Sequence, residues 1–218
     1  MSMRPKLCHP RQTEAGFSLI VVLLLLVVLT ALGVGGAQIA LVNELGARND
    51  RDAEIAFQAA EAALIDAELD ILGPNTSTSS RLCLFSNKDA SAFVRGCGGP
   101  GTGLGLCAPA ASGSTPAWMT VDLSPESQNS VPYGAFTGRV LVTGSGATPA
   151  ALPRYVVEVM RNNGGWEANR LQSASAGKTT NIFRVTAIGF GVRKETQVVL
   201  QTNLYKAVAS TECPQAGG

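Results

Sequence analysis

Phe17-Ser18-Leu19-Ile20-Val21-Val22 opens a run of 26 residues, FSLIVVLLLLVVLTALGVGGAQIALV (17–42), that contains no Asp, Glu, Lys or Arg. Its only polar side chains are Ser18, Thr30 and Gln38. About 20 apolar residues cross a hydrocarbon core of ~30 Å as a helix, so the run can span a bilayer. Ahead of it Arg4, Lys6 and Arg11 oppose only Glu14, and a Lys/Arg excess marks the cytoplasmic side. The N-terminus is therefore expected inside and everything after residue 42 outside. The run also explains the composition. Only 15% of the chain is charged, against about 25% in an ordinary soluble domain, and the shortfall is concentrated here.

The totals exclude several function classes. A net charge of +1 with 6% aromatic residues gives no basic face and little stacking surface, so no nucleic-acid partner is expected. The single histidine, His9, precedes the apolar run, leaving none downstream for a Ser-His-Asp or Cys-His arrangement or a His-ligated zinc.

An ordinary secretory signal has an apolar core of about 7–15 residues, shorter than this one, although Gly35-Gly36-Ala37 offers a small-residue cleavage site. A plain anchor fits the length. The junction Glu14-Ala15-Gly16-Phe17-Ser18 separates these alternatives, because a basic leader ends in Gly and the apolar stretch begins at once with Phe. This junction resembles the class III leader of type IV pilins. The resemblance implies cutting between Gly16 and Phe17 by a prepilin peptidase, N-methylation of Phe17, and an inner-membrane, single-pass protein with a periplasmic head that later enters a pilus fibre. It also implies other minor and major pilins and the inner-membrane assembly platform as partners. Glycine before the cut lets a protease approach the backbone closely. Major pilins carry a glutamate at the fifth mature position, where this chain has Val21. A carboxylate in a bilayer costs several kcal/mol unless paired, and in the family it is thought to pair with a neighbouring subunit's amine. The loss at Val21 resembles the minor subunits that begin a fibre.

The helix is expected to continue into water. Phe57, Ala60, Leu64, Ala67 and Ile71 recur at spacings of 4, 3, 4 and 3, one face of an amphipathic helix, with Glu61, Asp66, Glu68 and Asp70 on other faces. Gly73-Pro74 supplies the stop. A continuous helix over 17–72 would be about 84 Å long at 1.5 Å per residue. Gly33, Gly35 and Gly36 mark a bend or a close helix contact within it. Ala56 to Leu64 resembles the stretch after the membrane helix in PilX-type minor pilins.

Residues 74–218 form the head, enough for one core. Asn75–Ser80 reads as a polar linker and Gly96–Gly105 as a glycine-rich loop without the strand, helix and Lys-Ser/Thr of a phosphate cradle. Phe136–Thr143, Arg154–Arg161, Ile182–Phe190 and Glu195–Leu204 are strand candidates, with Tyr155, Val157 and Val159 on one face and Glu158 on the other. Asn162–Gly165 and Gly189–Arg193 supply turns. Consecutive strands so joined favour an antiparallel sheet laid on the amphipathic half-helix, an α+β, pilin-like fold. The stretch from Arg154 to Gln201 resembles the C-terminal sheet of PilX-type proteins. The organisation expected is a leader (1–16), a membrane or fibre-core helix (17–42), its amphipathic extension (43–73) and a head (74–218).

If Cys8 leaves with the leader, four cysteines remain: Cys83, Cys97, Cys107 and Cys213. None form Cys-x-x-Cys, so no metal is expected. An even number outside the cytoplasm reads as two disulfides, with three connectivities open. Removing the leader's three bases and one acid takes the charge from +1 to −1, again leaving no basic surface. Three functions are weighed: a minor pilin at or near a pilus tip that primes assembly, a minor pseudopilin of a type II secretion system, and an uncleaved membrane-anchored enzyme or sensor. No cofactor is expected, and the enzyme class lacks convergent acids or a histidine to name.

Overall fold

A computed structural model of the protein describes residues 17–86, 91–99, 101–111, 113–160 and 180–207. Helix α1 runs over Phe17–Ile71. The chain divides into two units at Arg48 and Asn49. In the first, every residue from Leu19 to Arg48 except Gly35 is exposed. The second carries the rest of α1 and the head.

The head contains β1 (Leu106–Cys107), a short helix α2 (Ala117–Thr120), β2 (Val131–Pro132), β3 (Arg154–Met160), β4 (Thr180–Phe190) and β5 (Gln197–Ala207). One sheet holds all five strands in the order β1-β3-β4-β5, with β2 also on β3. The long pairs are antiparallel, Tyr155 facing Ala187 and Val185 facing Thr202, while β1 runs parallel to β3 with Leu106 opposite Val157. The fold is α+β, with the second half of α1 packed on the sheet.

Alternation sorts the core. Tyr155 and Val157 of β3 and Phe183, Val185 and Ala187 of β4 share one face and pack on Ala63, Ala67 and Ile71 of α1 and on Phe85, Phe93 and Phe136. Phe183 contacts the Phe85 ring edge-on at 5.3 Å and stacks on Phe93 at 5.7 Å. The opposite face is covered too. Val156 packs there against Cys97 and Cys107, and Glu158 is buried, meeting Arg184 at 3.4 Å.

The helix approaches the sheet closely because it presents alanines, Ala56, Ala59, Ala60, Ala63 and Ala67, all buried. Gly189 completes the approach: a Cβ there would lie 2.0 Å from the Ala56 carbonyl oxygen. Gly73, at φ +82°, ends the helix in the left-handed conformation, its N–H donating to Leu69 O at 3.0 Å. Lys206 donates to the terminal carbonyl of Ile71 and to Leu82 O, placing a cation where the helix dipole is negative.

Three sequence expectations change. Asp66 and Asp70 do not lie on solvent faces but are fully buried, and Phe57 sits at the margin, 38% exposed. Ala60, Ala67 and Ile71 of the expected face are buried, and the buried surface extends beyond them to Asp52, Ala56, Ala59, Ala63, Asp66 and Asp70. Phe136–Thr143 is no strand: Tyr133–Thr137 is a turn, and residues 138–143 take no regular secondary structure. The turn prevails because Phe136 points inward over Arg81 and Gly134 and Thr137 bind Asp66. The last strand begins at Gln197, after a turn that includes Glu195. The leader, Arg161, the Asn162–Gly165 turn and Cys213 lie outside the described residues.

Candidate functional site

The apolar half of α1 is the feature that function must explain. From Leu19 to Val42 its Leu, Ile and Val side chains are uncovered, a surface that water disfavours by roughly 25 cal/mol per Å². By length and composition this helix can cross a membrane. Thr30 donates its hydroxyl to Val27 O at 2.9 Å, so this hydroxyl in the middle of the apolar run is satisfied locally. Gly33, Gly35 and Gly36 have open space where a side chain would stand. Val21 lies on this surface, 39% exposed. The first charged pair, Glu44 with Arg48 at 2.5 Å, comes only after Val42.

The head holds its part of α1 through three carboxylates on one helical stripe. Asp52 receives the Val192 N–H at 2.5 Å, the Thr196 hydroxyl at 2.6 Å and Arg193 Nε at 3.1 Å, so it clasps the β4–β5 turn. The Thr196 hydrogen bond leads in lowering the Asp52 pKa to about 2, opposed by burial and helped by Arg193 and Val192. A Cβ on Gly191 would stand 2.2 Å from Asp52 Oδ1, so this turn needs its glycine. Asp66 accepts from the Gly134 N–H at 2.8 Å and from the Thr137 hydroxyl. Burial nevertheless raises its pKa.

Asp70 binds deepest. Arg81 donates Nη2 to Oδ2 at 2.7 Å and Nε to both carboxylate oxygens at 2.9 and 3.2 Å, while Tyr155 Oη donates to Oδ2 at 2.9 Å. The remaining nitrogen, Nη1, donates to the carbonyls of Thr102 and Leu104 at 2.9 and 2.6 Å. The guanidinium carbon stands 3.7 Å from the Phe136 ring centroid. Burial, with the neighbouring Asp70 charge second, pushes the Tyr155 hydroxyl well above its ordinary value, so it stays a donor. Arg81 thereby joins the helix end, the glycine-rich loop and β3.

That loop is closed by a disulfide between Cys97 and Cys107. Gly98, at φ +71°, passes so near the Gly103 carbonyl that a Cβ would lie 1.9 Å from it. Cys83 is also disulfide-bonded. Among the described residues no group of three or more His, Cys, Asp or Glu is placed to hold a metal.

The anticipated site residues thus fall apart in space: Phe17 and Val21 on the apolar helix, Cys97 and Cys107 joined in the head. Gly16 and the Phe17 side chain lie outside what is described. The carboxylates at 52, 66 and 70 were missed because a charged residue is ordinarily a solvent-face signal. Their 4-3-4-3-4 interleaving with Ala56, Ala59 and Ala63 was the available clue.

An unpartnered apolar helix carried by an α+β head is the architecture of a pilin-like subunit. Residues 15–64 match the family model described as PilX N-terminal, and residues 103–206 match that described as Type IV pilus assembly protein PilX C-term. The chain belongs to the PilX family and is a component of type IV pilus assembly, a pilin-type structural protein. No curated protein and no solved structure matches it.

Proposed function

We propose that this protein is a minor pilin, cut between Gly16 and Phe17 by a prepilin peptidase, methylated at Phe17, and built into a type IV pilus at or near its tip, where it primes assembly. The observation that carries this is the continuous apolar surface of Leu19–Val42, which begins directly behind the Gly16-Phe17 junction. Such a surface has two stable environments, lipid and the flanks of like helices, and exchange between them is what a fibre subunit requires. Val21 supports the initiating role, since a subunit without a carboxylate there offers no partner to an amine beneath it. The head then stands in the periplasm before assembly. Other pilins and the inner-membrane assembly platform are its partners.

An in-frame deletion tests this reading against the secretion-system alternative. Loss of surface pili with exoprotein secretion intact supports it. Intact pili with lost secretion would assign the chain to a type II secretion tip instead.

A further inference from the structure

The segment Arg139-Val140-Leu141-Val142-Thr143 has the composition of a strand and, among the described residues, no strand to pair with. Among the described residues, none from Val140 to Pro149 takes part in a backbone–backbone hydrogen bond. Val140 and Val142 are 80% and 91% exposed. Leu141, half-buried, lines a groove together with Val142 and Thr143 against Ile55, Ala59 and Ala62 of α1. The β-branched Val140, Val142 and Thr143 around one leucine are a composition that favours a strand.

The sheet carries a complementary feature. Among the described residues β5 is a terminal strand in the order β1-β3-β4-β5, and its eleven residues pair on one side only, with β4. Natural edge strands are blunted by charges, proline or bulges. From Thr196 to Tyr205 this one has no charge and no proline, and its outward side chains Gln197, Val199, Gln201, Asn203 and Tyr205 are exposed. Charges match at the ends. Arg139, whose Nε donates to Tyr133 Oη at 3.2 Å, opens the segment, which is otherwise uncharged through Pro153, and Glu195, which makes no ion pair among the described residues, precedes β5.

We propose that Arg139–Thr143 pairs as an added strand with the outer edge of β5 in a second copy of this chain, Arg139 of one copy lying toward Glu195 of the other. The contact uses different surfaces on the two copies, so it is heterologous, and each bound copy leaves one segment and one edge free for the next. It rests on the head alone and does not depend on cleavage at Gly16.

Cross-linking of the full chain in detergent micelles tests it. Val140→Cys protein is mixed with Gln197→Cys protein under mild oxidation, with Met119→Cys, another exposed position, as the control. Mixed 140–197 dimers are expected to dominate over 140–140, 197–197 and any dimer through residue 119. Leu141→Pro with Val142→Pro, which removes donors from both edges of the segment, is expected to lower the yield about tenfold, the factor for one or two lost backbone hydrogen bonds. The melting temperature of the head should hardly move, because these N–H groups have no hydrogen-bond acceptor among the described residues. Arg139→Glu should weaken the pair and Glu195→Arg in the partner copy should restore it. Cross-linking no faster than the residue-119 control, a preference for 140–140 pairs, or indifference to the prolines would each overturn the proposal.

Discussion

Replacing Arg81 with methionine separates the head's polar lock from its apolar core. Methionine keeps the length of the side chain between Phe85 and Phe136 but withdraws every hydrogen bond. Asp70 then retains only Tyr155 Oη, and the carbonyls of Thr102 and Leu104 lose their shared donor. Both charges of this pair have no side-chain exposure, so the carboxylate left behind cannot recover water without opening the core. Removing one partner of a buried ion pair costs about 3–5 kcal/mol, a large part of the 5–15 kcal/mol typical of a folded domain. At a urea slope of about 2 kcal/mol per molar, the midpoint should fall by roughly 1.5–2.5 M. The assay is urea unfolding of the full chain in micelles, followed by tryptophan fluorescence. Asp70→Leu combined with Arg81→Met should cost less than the two single changes added, by about 2 kcal/mol, because the stranded charge is gone. An Arg81→Met loss under about 1 kcal/mol, or strict additivity, would refute the reasoning.

Gly189→Ala should lower stability by about 1–3 kcal/mol, as overpacking does, because the new methyl meets the backbone of Ala56 and Ala60 rather than a movable side chain; thermal melting checks this. Asp52, whose pKa falls to about 2 in the folded head from an ordinary 3.8, contributes stability that is present above pH 4 and lost as the pH falls toward 2. The stability difference between the wild type and Asp52→Asn should therefore rise between pH 2 and 4 and then level off. Asp66, with its pKa raised by burial, should show the opposite sign, its carboxylate weakening the head as the pH rises through that shifted value. Reducing the Cys97–Cys107 bond, or replacing both cysteines with serine, should cost about 2–4 kcal/mol in the same unfolding assay. A non-reducing peptide map should recover these two residues linked to each other, leaving Cys213 as the expected partner of Cys83.

Elements governed by local periodicity were legible in the sequence. The apolar run, the Gly73-Pro74 stop and the strands around Tyr155, Val185 and Leu200 all declare themselves within a few residues. What escaped was decided by contacts distant along the chain. The burial of Asp70 depends on Tyr155, 85 positions away, and that of Asp52 on Thr196, 144 away. The Val-rich stretch after Phe136 has strand propensity, yet the Asp66 turn and the missing neighbour overrule it. Parallel pairing of β1 with β3 rests on two residues, too few to carry a period. Among three possible disulfide connectivities, only the glycine-rich loop's own geometry selects Cys97 with Cys107.

The most direct test of the account is the intact mass of the protein purified from its native membrane. Processing as a pilin predicts a chain that begins at Phe17, lacks residues 1–16 and carries one added methyl group. A chain that retains Met1–Gly16, or begins anywhere other than Phe17, would contradict it.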